Sequence, residues 1–240
     1  MSYWEKNKMH DAHTHINDKE ILKFLKEKNF PCIINAANKQ EYEFLKKNQY
    51  SNMYISCGIH PWYVQTTNIN EVMECIKEAN FLGEIGLDHP WCESPFELQK
   101  EIFLYQLSHI SLPTVLHTKG YEKEVLDIIR LFPRKYLVHW YSCKDFIDDY
   151  IQLDCYFTIG PSVINDDAVK EVARKVPLNR ILIETDGLEA VEWALGTKVD
   201  YTKYEECLET MIKVISDIKN ISVNELKTIL MNNFDTLTCN

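Results

Sequence analysis

Nowhere in the chain do about 18 uncharged apolar residues follow one another, and the opening Met1 to Lys8 carries charge with no apolar stretch behind it. A membrane-spanning helix needs roughly 20 such residues, so these absences predict a cytoplasmic protein that is neither exported nor inserted. Disulfide spacing is missing too. The eight cysteines (Cys32, Cys57, Cys75, Cys92, Cys143, Cys155, Cys207, Cys239) include no C-x-x-C pair, and several fall in apolar strand-like runs, where a thiol acts as a small hydrophobe. Reduced, buried cysteines fit better than a disulfide framework. Basic residues are outnumbered, with 26 Lys+Arg against 36 Asp+Glu and a formal net charge of -10. That field repels nucleic acid and anionic membranes at long range and argues against a long duplex footprint, although a local metal site still attracts a single phosphate. No linker, low-complexity tract or internal repeat breaks the chain. Because α/β barrels reach about 250 residues without splitting, residues 1–240 are expected to form a single domain.

With 45% hydrophobic and 12% aromatic residues, no segment is poor enough in apolar side chains to stay disordered. Short runs rich in Ile, Val, Leu and Tyr alternate with longer segments of helical period, the rhythm of repeated βα units. Candidate strands cover 8–14, 31–37, 53–59, 81–86, 113–117, 136–140, 154–159 and 180–185. Helix-start signals stand between them: Asn17-Asp18 before 19–28, Ser94-Pro95 before 96–109 and Asn165-Asp166 before 167–175, with later helices at 204–218 and 223–234. The pattern predicts a TIM-type (β/α)8 barrel.

Chemistry concentrates at the ends of these strands. In Asp11-Ala12-His13-Thr14-His15 alternate side chains of a strand share a face, so both histidines point together, an arrangement that suits a divalent metal. Alone, the spacing is equally met by a packed histidine beside an exposed one. Further along, Cys57-Gly58-Ile59-His60, Gly83-Glu84-Ile85-Gly86, Leu116-His117, Val138-His139 and Glu184-Thr185-Asp186 close other strands, where barrel enzymes place their catalytic groups. A single strand-ending histidine is ordinarily a core residue. Independent strands ending in His, Glu, His, His and Asp are hard to ascribe to packing, since buried ionisable groups need partners and a metal supplies one.

These segments resemble the TatD-related metal-dependent hydrolases of the amidohydrolase superfamily. The similarity spans nearly the whole chain through DAHTH at the first strand, GIHPW at 58–62, GEIGLD at 83–88, LHT at 116–118, VHW at 138–140, TIG at 158–160 and ETD at 184–186. It implies that His13, His15 and Asp186 hold one divalent ion, that Glu84 bridges, and that His117 and His139 hold a second. It also implies phosphodiester hydrolysis, usually of DNA, by a deoxyribonuclease of 3'-5' exonuclease type. Glu84 on the fourth strand, where amide and ester hydrolases of the superfamily typically use a modified lysine nearby, favours the phosphodiesterase branch. Three departures from the family pattern lie toward the substrate: His139-Trp140-Tyr141-Ser142, Asp186-Gly187-Leu188, and His89 after GLD.

A cation pair lowers the pKa of water and holds phosphoryl oxygens, and Asp186 is expected to orient the water or accept its proton, alongside Glu84 as the second catalytic carboxylate. The cations are zinc, manganese, magnesium or nickel, which mixed imidazole and carboxylate sites all accept. Expected substrate contacts are His60, Lys119, Trp62 and Trp140, with Trp91 a further candidate for stacking a base. Each has an ordinary alternative: a turn histidine, a solvated lysine, tryptophans packing loops over the barrel rim. Asp88 and Glu184 are read either as acceptors that orient ligand imidazoles or as capping and core residues. The expected partners are DNA ends, single strands or small phosphodiesters, met by a monomer away from membranes. Competing readings are a sister enzyme that hydrolyses a small-metabolite amide, ester or phosphoester, and a barrel that keeps a structural metal and only binds.

Overall fold

A computed structural model describes residues 9–16 and 18–239. The strands β1 (Asp11–Thr14), β2 (Cys32–Ala36), β3 (Met53–Cys57), β4 (Phe81–Asp88), β5 (Thr114–Lys119), β6 (Tyr136–Val138), β7 (Tyr156–Ile159) and β8 (Ile181–Ile183) are all parallel and lie side by side in chain order. The helices that alternate with them are α1 (Lys19–Glu27), α2 (Lys39–Asn48), α3 (Ile69–Ile76), α4 (Phe96–His109), α5 (Glu122–Ile129), α6 (Ile147–Gln152), α7 (Asp167–Lys175), α8 (Leu188–Leu195), α9 (Tyr204–Lys219) and α10 (Val223–Thr238). This is the TIM-type (β/α)8 barrel expected from the alternation.

Local chemistry sets the helix starts. Asp18 accepts from Glu20 N, Asn38 from Glu41 N, Asp166 from Ala168 N and Val169 N, and Ser222 from Glu225 N, so each cap satisfies backbone donors that the first turn leaves without partners. Pro95 caps α4 by conformation alone, and the Asn17 signal lies outside the described residues. Several strands end away from their expected limits. β6 stops at Val138 because Trp140 turns to a φ of 34°, with its amide given to the Thr158 hydroxyl at 3.2 Å. β4 instead runs on to Asp88. There Gly86, at a φ of 152°, lies so close to β5 that a Cβ would sit 1.9 Å from the His117 carbonyl oxygen, an approach open only to glycine. All eight cysteines are free thiols, and among the described residues no helix is long and apolar enough to cross a membrane.

The two-residue period of a strand gives the interior its layers. Ile33, Tyr54, Val115, Leu137, Tyr156 and Leu182 join one apolar cluster with Phe234 and Leu237 of α10. Two residues further along come Asn35, Ser56, His117 and Thr158 in the same strands, and His139 and Glu184 one residue past the ends of β6 and β8. The lower layer is packing and the upper one is polar. α10 lies across the end of the barrel where the strands begin: Phe234 meets Tyr54 at 5.9 Å and His10 at 4.7 Å, Asn233 donates to Ile181 O, and Lys135 donates to Thr236 O.

His10 makes this closed end sensitive to acid. Its ring is fully buried, Nε2 accepts from Ile183 N at 3.4 Å, and Nδ1 has no partner. Burial disfavours the imidazolium and lowers its pKa to about 3. Unfolded, the ring regains an ordinary pKa near 6.5, so below that pH the unfolded chain binds a proton that the folded chain refuses. Stability therefore falls as pH drops from about 6.5 toward 3. At pH 5 this single group is expected to cost about 2 kcal/mol relative to pH 7. Urea unfolding of His10→Gln at both pH values should show a shallower pH dependence than the wild type, whatever its absolute stability. Equal dependence would mean that His10 is charged in the fold.

Candidate active site

The polar layer converges on one carboxylate. Glu84 sits where the β4–β5 register shifts between Leu82 and Ile85, and such an irregularity re-aims a side chain. Its Oε2 faces His13 Nε2 at 3.4 Å and His15 Nε2 at 3.2 Å, from the end of β1. Its Oε1 faces His117 Nδ1 on β5 at 2.6 Å, His139 Nε2 just past β6 at 3.0 Å and His60 Nε2 after β3 at 3.4 Å. Asp186, three residues beyond β8, brings Oδ1 to 3.2 Å from His13 Nε2 and 3.6 Å from His15 Nε2. The structure thus gathers all six residues expected as metal ligands, and adds His60 to them.

A second carboxylate holds the strands that carry these groups. Asp11 Oδ1 accepts from Thr185 N at 3.0 Å and His13 N at 3.3 Å, while Oδ2 accepts from the Thr185 hydroxyl at 2.5 Å and from the Tyr204 hydroxyl of α9. Burial pushes the Asp11 carboxyl up to about 7 against the pull of the Thr185 and Tyr204 donors. Beside it, Asp186 N donates to His13 O at 3.0 Å. Thus β8 is fastened to β1 at the point where His13 and Asp186 must meet.

Behind the imidazoles stand oriented partners. Asp88 Oδ2 pairs with His117 Nε2 at 2.8 Å and accepts from the Trp62 indole at 2.8 Å, which leaves His117 Nδ1 facing Glu84. Glu184 Oε2 lies 3.4 Å from His139 Nδ1, and Asn35 Nδ2 lies 2.7 Å from His13 Nδ1. Asp88 thus bonds the outer nitrogen of His117 and also accepts from Trp91 N, so it meets both the orienting and the capping description, while Glu184 faces His139 without a hydrogen bond between them. Asn35 was missed in the sequence, where a lone amide inside the apolar run Cys32-Ile33-Ile34-Asn35-Ala36 was the available signal.

The residues fit a metal. Three groups, His13 with His15 and Glu84, His60 with Glu84 and His117, and His13 with His139 and Glu184, bring their ligand atoms within 4.8 Å of one another. Asn35 Oδ1, His139 Nδ1 and both Glu184 oxygens are buried without a hydrogen-bond partner, an arrangement that costs free energy unless charge nearby compensates it. The titration pattern agrees. Burial opposes charge on Glu84, yet His139, His60 and His13 hold its carboxyl well below the usual range. Against the same burial, His13 is raised well above an ordinary imidazole, chiefly by Glu84, and His139 rises to about 9 for the same reason. His60 moves the other way, to about 4, because burial outweighs Glu84. Asp186 falls to about 2 despite burial, through His13 and His139. Anionic oxygens and imidazoles that hold protons at one focus are the charge balance that a cation takes over.

Four expected substrate contacts border this focus. His60 and Trp62 line a cavity of about 330 Å³ over Glu84. Lys119 donates to Trp140 O at 2.5 Å and to the Ser142 hydroxyl at 3.2 Å. Trp140 is buried, with its indole bonded to Ser162 at 2.8 Å and its ring filling the space that a Cβ on Gly160 would need. His89 stands outside, edge-on to Tyr121. A tryptophan absent from the sequence reading, Trp193 on α8, also reaches the mouth. Its helix was not marked by a cap, since Gly187 starts it without a side-chain bond.

A parallel barrel with imidazoles and carboxylates converging at the C-terminal ends of its strands defines a metal-dependent hydrolase. The sequence profile of the family described as TatD related DNase matches residues 10–238, and the chain belongs to that family. An uncharacterized metal-dependent hydrolase of Buchnera aphidicola subsp. Baizongia pistaciae is 31% identical over 194 residues, covering 72% of this chain and 71% of that protein. Another, YabD of Bacillus subtilis, is 25% identical over 220 residues, covering 85% and 81%. Among solved structures the TatD homolog YJJV of Escherichia coli superposes with a TM-score of 0.80 over 96% of this chain and 98% of its own, at 21% identity, which speaks for the fold.

Proposed function

We propose that the protein hydrolyses phosphodiester bonds at DNA ends, in short single strands or in small phosphodiesters, using two divalent cations. The observation that carries this reading is the two-sidedness of Glu84, whose Oε2 faces His13 and His15 while its Oε1 faces His60, His117 and His139. A carboxylate so placed suits a bridge, with His13, His15 and Asp186 on one side and His117 and His139 on the other. When bound, such cations act as Lewis acids toward phosphoryl oxygens and make water acidic enough to attack at neutral pH. Asp186 Oδ1, beside His13 and His15, receives the proton of the attacking water. His60, neutral because of its burial, donates a hydrogen bond to a phosphoryl oxygen. As water joins phosphorus the P–O ester bond breaks, and the leaving oxygen takes a proton from solvent. The family described as TatD related DNase supports a nucleic-acid substrate. The net charge of -10 limits its size, because affinity for long duplexes depends on many Lys and Arg contacts with phosphates.

Metal analysis after reconstitution with manganese or zinc is expected to give two ions per chain. A short single strand and a chromogenic phosphodiester should be cleaved with a shallow salt dependence, a long duplex poorly, and small amides not at all. Amide turnover without phosphodiester turnover would place the protein with the sister amidohydrolases. Best activity at internal duplex sites with a steep salt slope would overturn the limit on substrate size.

A further inference from the structure

Resting on that phosphodiesterase reading, we infer that the tryptophan-walled cleft beside the metal site seats the nucleobase adjoining the scissile phosphate, with Trp193 as its stacking face. Trp91, in the loop after β4, and Trp193, on α8 after β8, come from opposite parts of the chain and are 57% and 69% exposed. Their rings meet edge to face at 6.4 Å and 90°, and Trp193 continues to Trp140 at 6.1 Å and 69°. Two large apolar side chains left this open are not there to fill a core, and their perpendicular planes leave a notch in which one flat ring can lie against a face and an edge together.

Position identifies the occupant. The cleft, about 340 Å³, is walled by these tryptophans and also by His117, His139 and Asp186, so a base lying in it adjoins, through its sugar, a phosphate held at those residues. Its volume is at the small end of ligand pockets and suits a single ring system better than a protein segment. At its base Lys119 spends two of its three N–H donors on Trp140 O and Ser142 and keeps one for a sugar or phosphate oxygen of the same nucleotide. An aromatic face beside a lone cation is the chemistry of single-strand recognition, and because every base offers a π-face the seat tolerates all four. Trp62 is a weaker candidate for the stacking face, since its indole is tied back to Asp88.

The test compares wild type with Trp193→Ala and Trp193→Phe, all metal-loaded. Trp193 is exposed and helical, so alanine there should not disturb folding. Calorimetric titration with dAMP should show binding weakened about tenfold in Trp193→Ala and largely kept in Trp193→Phe. In steady-state assays the wild type should prefer a dinucleotide to the analogue lacking the neighbouring base by about tenfold in KM, and Trp193→Ala should erase that preference. Equal dAMP binding by all three proteins, or a preference that survives Trp193→Ala, overturns the seat and leaves phosphodiester hydrolysis standing. Binding of dAMP that depends on Trp193, in a protein that turns over no phosphodiester, supports the seat and overturns the proposed reaction instead.

Discussion

Replacing Glu84 by alanine is expected to lower turnover on the order of 10³-fold and to cost more than any single histidine replacement. Its two oxygens face five imidazoles, those of His13, His15, His60, His117 and His139, at distances of 2.6 to 3.4 Å. Without that carboxylate the proposed cation pair loses both a shared ligand and the negative charge that screens one ion from the other. His117→Ala should chiefly empty one position, because His13, His15 and Asp186 remain. Metal content and kcat measured together on both variants decide the matter. A Glu84→Ala protein with full metal content and near-normal turnover would remove Glu84 from the bridge.

Asp186→Asn is expected to lower kcat about 10³-fold while leaving the fold intact. The amide keeps the shape of the side chain, and the backbone bond from position 186 to His13 O is untouched. What it loses is an oxygen able to take a proton 3.2 Å from His13 and 3.6 Å from His15. The loss should fall on kcat more than on KM. Turnover within a few-fold of wild type, at unchanged metal content, would assign the proton to another acceptor.

Much of this arrangement is legible in one dimension because a strand repeats every two residues and a barrel puts strand ends in one place. The pairs Val115/His117, Leu137/His139 and Leu182/Glu184 each write an apolar layer and a polar layer in three letters of sequence. What could not be read has a physical reason in each case. The register shift that turns Glu84 inward is a property of how β4 meets β5 and has no residue signature of its own. Asp11 and Tyr204 are 193 positions apart, so their bond exists only once the barrel has closed. Trp140 reads like any rim tryptophan until its positive φ folds it onto Gly160. Trp193 sits on a helix begun by Gly187 at a φ of 90°, where the usual capping chemistry is replaced by backbone shape.

The fastening of β8 to β1 ties occupancy to integrity. His13 and Asp186 lie on opposite sides of that seam, so a cation shared between them would act as a rivet across it, and every factor that loosens the rivet also loosens the hoop. Melting temperature should then climb with the logarithm of free metal concentration, as for any ligand held by the folded state alone. The relation runs in reverse as well: a substitution in the Asp11, Thr185 and Tyr204 triangle, which touches no ligand atom of Glu84, His117 or His139, would be felt as weakened metal affinity. With a cation held there, the joint of the barrel and the grip on the ion would be one mechanical element.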